Sequence, residues 1–355
     1  MALERQLMFW IGVLIAVVLL IWLLYPVLLP FVAGMALAYL LDPLANRIER
    51  LGVNRVIATF VIMAAFIAIL AVLAVVLVPL LAGQAAALIE NLPGYAERVM
   101  AIISDPSRPW LSKLVGSGFP DLQPSTIVKE AAGASTVFVR SLWSGGQAVV
   151  SFLSLFVIAP VVAFYLLIDW SRIVTALDRW LPRDHADTIR MLAREIDTAI
   201  AGFVRGQTGV CLILGACYAT PFVLIGLNFG LLIGIGTGLA SFIPYVGTFA
   251  GMMIALIVAV VQFWPEWTPI LMILAVGAVC NVLEGYVLSP FFVGPSVGLH
   301  PVWMMFALIA AAYLFGFVGL LVAIPLAATV GVLLRFALRK YLESPIYTGR
   351  DLEPR

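Results

Sequence analysis

The chain has 355 residues, 63% of them hydrophobic and only 11% charged, with a formal net charge of +1. Soluble domains carry about 45–50% apolar and about 25% charged residues, so no water-soluble core can hide this much apolar surface and lipid must be the main solvent. The scattered bases offer no patch for nucleic acid, and Cys211, Cys217 and Cys280 all fall inside apolar runs, at spacings that fit neither a disulfide framework nor a metal site.

The first apolar run, Leu7 to Leu24, is long enough to cross a hydrocarbon layer of about 30 Å at about 1.5 Å per residue. Arg5 before it and Ala36-Leu37-Ala38 after it resemble a secretion signal. The apolar stretch reaching Leu41 far exceeds a signal core of about 7 to 15 residues, so two uncleaved spans are expected. Pro26 and Pro30 allow a turn, and the chain returns through Val27 to Leu41 to emerge at Asp42-Pro43. Arg47, Arg50 and Arg55 mark the following loop as cytoplasmic. A third span from Val56 to Leu81 completes an N-terminal unit of three transmembrane helices over residues 1–83.

Composition changes at Gln84. Residues 84–146 hold five acids, five bases and breakers such as Asp105-Pro106 and Gly116-Ser117-Gly118. They read as a small extramembrane helical insert on the external side, with helical apolar spacing over Gln84 to Ile103 and Ser125 to Leu142. Residues 147–202 supply a fourth span, Ala148 to Ile168 with Pro160 inside it, and a charged segment. The segment from Asp169 to Arg205 carries six arginines against six acids and is assigned to the cytoplasm, because orientation follows the bases.

The last part reads as two units of span plus broken hairpin. In residues 203–263, a span from Phe203 to Leu227 precedes an arm, Phe229 to Phe242, an interruption, Ile243-Pro-Tyr-Val-Gly247, and a second arm, Thr248 to Phe263. The turn Trp264-Pro265-Glu266-Trp267 has no base and is expected outside. In residues 268–335, a span from Ile270 to Leu288 precedes the arm Pro301 to Leu314, the interruption Phe315-Gly-Phe-Val-Gly319 and the arm Leu320 to Leu334. Arg335, Arg339 and Lys340 place the tail, residues 336–355, in the cytoplasm, as the N-terminus is. That bookkeeping closes only if each hairpin is re-entrant and the two units enter from opposite faces. The fold class expected is therefore all-α: a polytopic integral membrane protein with inverted-topology repeats, in the cytoplasmic (inner) membrane. Broken helices expose backbone groups at membrane depth, which is tolerated where they meet protein, water or substrate.

Few ionisable residues lie in the apolar runs, and each is costly there. Glu284, with Asn281 one turn before it, could bind a cation or exchange a proton; a structural ion pair or an interfacial position is the competing reading. Arg205 and Gln207 stand at the inner end of the fifth span, where the arginine either attracts an anion or snorkels to the interface. His300 precedes Pro301 and reads as a titrating group or a helix cap. Pro244, Tyr245 and Gly247 form one hairpin tip and Gly316 and Gly319 the other, with Pro244 and Pro325 as helix interrupters. Gly230, Gly234, Gly236, Gly238, Gly247 and Gly251 allow close helix approach.

The chain has no His-Glu-x-x-His, Gly-x-Ser-x-Gly or Walker phosphate loop, and His185 and His300 are far apart in sequence. No enzymatic activity, cofactor, metal or ATP-driven pumping is expected. The lipid bilayer and a small solute or ion are the expected partners.

The segment Phe242-Ile-Pro-Tyr-Val-Gly247, Asn281 and Glu284 followed by Ser289-Pro290, Gly298-Leu-His-Pro301, Phe315-Gly-Phe-Val-Gly319 and Pro325 resemble the autoinducer-2 exporter family of permeases. The resemblance implies a secondary transporter with inverted repeats that assembles as a homo-oligomer, a pentamer being the form expected. It also associates the chain with export of the signal autoinducer-2 or with sodium-proton antiport, and the two inverted units suggest alternating access for a small polar solute or cation. Sodium-proton antiport through Glu284 is the rival within transport, and a non-transporting membrane scaffold the rival outside it.

Overall fold

The computed structural model describes residues 28–103, 146–293, 298, 300–344 and 347. Among these the chain is helical and no strand occurs. Helix α1 covers Leu28–Glu49, α2 Arg55–Ile103, α3 Gly146–Arg179, α4 Ala186–Ile225, α5 Gly230–Ala240, α6 Val246–Phe263, α7 Trp267–Leu283 and α8 Pro301–Leu342. A π-helix, Glu284–Val293, continues α7. Seven helices among the described residues are long and apolar enough to cross a membrane. Helices prevail because lipid offers backbone groups no hydrogen bonds, so each segment must satisfy its own. Large apolar side chains such as Phe60, Val75, Phe249 and Tyr313 face outward, which suits a lipid solvent. The expected span at Leu7 to Leu24 and most of the insert, residues 104–145, lie outside the described residues.

Helices run longer than the sequence pattern suggests. α2 continues through Gly83 to Ile103 with Pro79 and Pro93 inside it, and the expected fifth span is the second half of α4. Pro160, Pro221 and Pro325 likewise sit within helices. The expectation that Pro325 interrupts its helix is corrected: the non-helical residue of α8 is Gly316, at φ 55° and ψ −138°, within the stretch Phe315 to Gly319 expected to break it. A proline forfeits one hydrogen bond, which a long helix survives, whereas Gly316 adopts a conformation that side chains rarely allow.

The chain divides into two compact units. One comprises the described parts of Met1–Met63, Leu153–Gln207 and Pro290–Arg355. Its centre is Arg55, whose guanidinium donates to the Leu167 carbonyl at 2.8 Å, Asn46 at 2.8 Å, Glu49 at 2.9 Å and Asp42 at 3.1 Å, fastening α1, α2 and α3 together. Gly34 lies so close to Ala159 and Val162 that a Cβ there would overlap them. Arg335 of α8 pairs with Glu195 of α4 at 3.5 Å.

Within this unit α8 doubles back. A Cβ on Gly319 would overlap the carbonyl oxygen of Ala311, although eight residues of straight helix would separate the two by about 12 Å. The reversal occurs at Gly316.

The other unit comprises the described parts of Ala64–Phe152 and Thr208–Ser289. It contains α5, α6 and α7, packed in sequence order. The 11 residues of α5 span about 16 Å, and the 18 of α6 about 27 Å. α5 is shorter than the expected arm because Phe229 takes a left-handed φ of 60° before it and turns follow Ser241.

Candidate functional site

Glycines set the geometry of the second unit. Gly230, Gly234 and Gly238 are four residues apart and therefore share a face of α5. A Cβ on Gly234 would overlap Ala219, and one on Gly238 would overlap Gly215 and the Cys211 carbonyl, while Gly230 faces Phe222. The order of these contacts makes α5 antiparallel to α4 at backbone contact. On its other side α5 meets α6, where a Cβ on Gly251 would overlap Thr237 and one on Gly247 would overlap Ala240 and Ser241.

This close approach buries three hydroxyls, Thr237, Ser241 and Thr248. Thr248 Oγ1 donates to Glu284 Oε2 at 2.7 Å. Ser241 Oγ stands 3.3 Å from Thr248 Oγ1, with a proton it can offer there or to the Thr237 carbonyl 2.7 Å away. Thr237 Oγ1 donates to the Ile233 carbonyl at 2.6 Å. Glu284 thus ends a short string of hydroxyls running into the hairpin. Its Oε1 makes no hydrogen bond among the described residues, and a carboxylate can accept about four. The free capacity suits a proton, a cation or an N–H or O–H donor. Glu284 is half-buried and sits where α7 passes into the π-helix that carries Ser289-Pro290; such widened turns recur at functional sites.

Two neighbouring contacts hold this frame. Gln262 accepts from the Asn228 N–H and donates to the Gly226 carbonyl, both at 2.7 Å, closing the turn between α4 and α5. Gln84 of α2 accepts from the Leu232 N–H at 3.0 Å, satisfying an orphan donor in the first turn of α5. The Tyr218 hydroxyl, fully buried on α4, has no hydrogen-bond partner among the described residues.

Of the residues singled out from sequence, Glu284, Pro244, Tyr245 and Gly247 lie in this unit. Tyr245 is half-exposed at φ 68° and Gly247 buried, so the tip is a tight reversal. Asn281 is exposed and joins Glu284 through its backbone carbonyl, which accepts the Glu284 N–H. Gly316, Gly319, His300, Arg205 and Gln207 belong to the first unit. His300 caps α8, its Nδ1 accepting from the Val302 N–H at 3.3 Å. Arg205 donates to the Tyr39 carbonyl at 2.9 Å and lies 3.8 Å from Asp42, and Gln207 is buried. Sequence reasoning missed Thr248 and Ser241. Their signal was available: two hydroxyls flanking a helix break, in a stretch otherwise apolar.

The model of the family described as AI-2E family transporter matches residues 11–339. The chain belongs to that family. Among AI-2E relatives, the Bacillus subtilis (strain 168) protein named "Putative transport protein YrrI" is 26% identical, over 95% of this chain and 98% of its own length. "Putative transport protein YueF" of the same organism is 26% identical over 87% of this chain and 82% of its own. "Putative permease PerM" of Escherichia coli (strain K12) is 26% identical over 85% of each chain. The AI-2E assignment agrees with the resemblance carried by the hairpin motifs.

Proposed function

We propose that this AI-2E family member is a secondary permease that carries a small polar solute across the cytoplasmic membrane by alternating access, with Glu284 as the point of passage. One observation carries the reading: a carboxylate within an apolar candidate span, with spare acceptor capacity, sits on a buried hydroxyl, Thr248, beside a broken hairpin. An intramembrane acid is costly to keep, by about 2.5 to 3.5 kcal/mol on insertion scales, and a purely packed bundle would lose it. The two tips support inverted repeats, since each ends its reversal with a glycine, Gly247 or Gly319, pressed against the preceding arm. Export, an autoinducer-2-like substrate and a homo-oligomeric assembly are carried into this proposal from the family resemblance.

The test compares metabolite retention in cells lacking the protein with cells restored by wild type, Glu284→Gln or Thr175→Val. Wild type and Thr175→Val return the retained solute to the medium, and Glu284→Gln does not. Full restoration by Glu284→Gln overturns the role of the carboxylate. The half-burial of Glu284, with Oε1 unbonded among the described residues, also favours a second reading, sodium-proton exchange. Sodium-dependent proton movement in proteoliposomes free of organic solute, lost in Glu284→Gln, would select it.

A further inference from the structure

Far in sequence from Glu284, the first unit contains a cleft of about 400 Å³ between α1, α3 and α4. This is within the range of small-molecule sites. Its lining includes two carboxylates, Asp42 and Asp197, and one guanidinium, Arg205.

The two acids are in different states. Asp42 is charge-paired: Arg55 donates to it at 3.1 Å, Asn46 at 2.9 Å, and Arg205 lies 3.8 Å away. Asp197 accepts one hydrogen bond, from the Tyr39 hydroxyl at 2.9 Å, and makes no ion pair among the described residues. The two hydroxyls beside it have committed their protons. The Tyr39 O–H is given to Asp197 itself, and the Thr198 O–H to the Arg194 carbonyl at 2.8 Å. Both oxygens retain acceptor lone pairs. Beside them Tyr39 and Trp170 form an edge-to-face pair with centroids 6.3 Å apart, a contact that leaves further ring faces free to attract a cation.

Acceptors, an unpaired carboxylate and two aromatic rings define the complementary ligand: a cation with an apolar body. We propose that this cleft binds a small organic ammonium ion, its nitrogen on Asp197 and Tyr39 Oη and its body against Trp170. A carboxylate ligand would meet Asp197 and gain from Arg205 alone, whose Nε is given to the Tyr39 carbonyl and whose Nη2 lies 3.8 Å from Asp42, and a neutral alcohol would leave the Asp197 charge uncompensated. The site is independent of the transport reading, since it concerns equilibrium binding in another part of the chain.

The experiment is equilibrium dialysis of the detergent-purified full chain against benzylammonium, benzyltrimethylammonium, benzyl alcohol and benzoate. The two cations bind saturably at millimolar concentration and displace each other, while the alcohol and benzoate do not. Asp197→Asn still accepts from Tyr39 and should melt like wild type, yet it weakens benzylammonium by about tenfold. Trp170→Leu weakens it by about threefold. Equal uptake of benzoate or of the alcohol by wild type overturns the proposal without any variant. So does absence of saturable cation binding, or undiminished binding by a normally melting Asp197→Asn.

Discussion

Thr248→Val removes the bond that ties Glu284 to the hairpin, along with the longer 3.3 Å contact to Ser241 Oγ. Valine matches threonine in shape, so packing at this buried position persists and the hydroxyl alone is lost. The bond is 2.7 Å long. A hydrogen bond to a charged group contributes about 1.5–3 kcal/mol, whereas neutral pairs inside membrane proteins average about 0.6 kcal/mol. Ionised Glu284 therefore implies that Thr248→Val costs about 2 kcal/mol in the wild-type background. In the Glu284→Gln background the acceptor remains but the charge does not, and the cost falls to about 0.6 kcal/mol. The assay is reversible unfolding in mixed dodecylsulfate and dodecylmaltoside micelles, followed by circular dichroism. Thr175→Val serves as control, because that exposed hydroxyl bonds only to Ser171 on its own helix; its effect should stay within about 0.5 kcal/mol. A Thr248→Val cost no larger than the control's would refute the bond. An equal cost in both backgrounds would refute the charge.

Gly238→Ala forces a methyl into Gly215 and the Cys211 carbonyl and should cost about 1–3 kcal/mol by the same unfolding assay. Gly236→Ala, two residues away and facing open space, should instead stabilise by about 0.5–1 kcal/mol through helix propensity; similar effects at both sites would contradict the glycine seam. Gly316→Ala meets no neighbour but must hold φ 55°, for a loss of about 1–3 kcal/mol, and a neutral result there would remove the reversal. Tyr218→Phe deletes a buried hydroxyl without a partner among the described residues. It should raise stability by about 1 kcal/mol, and a loss instead would show that the hydroxyl is bonded in the working protein.

The sequence by itself determined the solvent and the secondary structure. A chain 63% apolar with runs of membrane length must be helical in lipid, because no other local structure satisfies its own backbone. It also exposed the breaks, since Pro244 and the glycines at 316 and 319 punctuate otherwise unbroken apolar stretches, and it singled out Glu284 as an acid where acids are costly. It misjudged Pro325, because proline inside a helix reads like a stop while the cost of one lost bond depends on the rest of the helix. The partners of each polar group were decided in tertiary structure alone. Thr248 reaches Glu284 across 36 positions, and Tyr39 reaches Asp197 across 158. Helical periodicity fixes which residues share a face, but which faces meet depends on packing between segments, where glycines without side chains let α4, α5 and α6 come together.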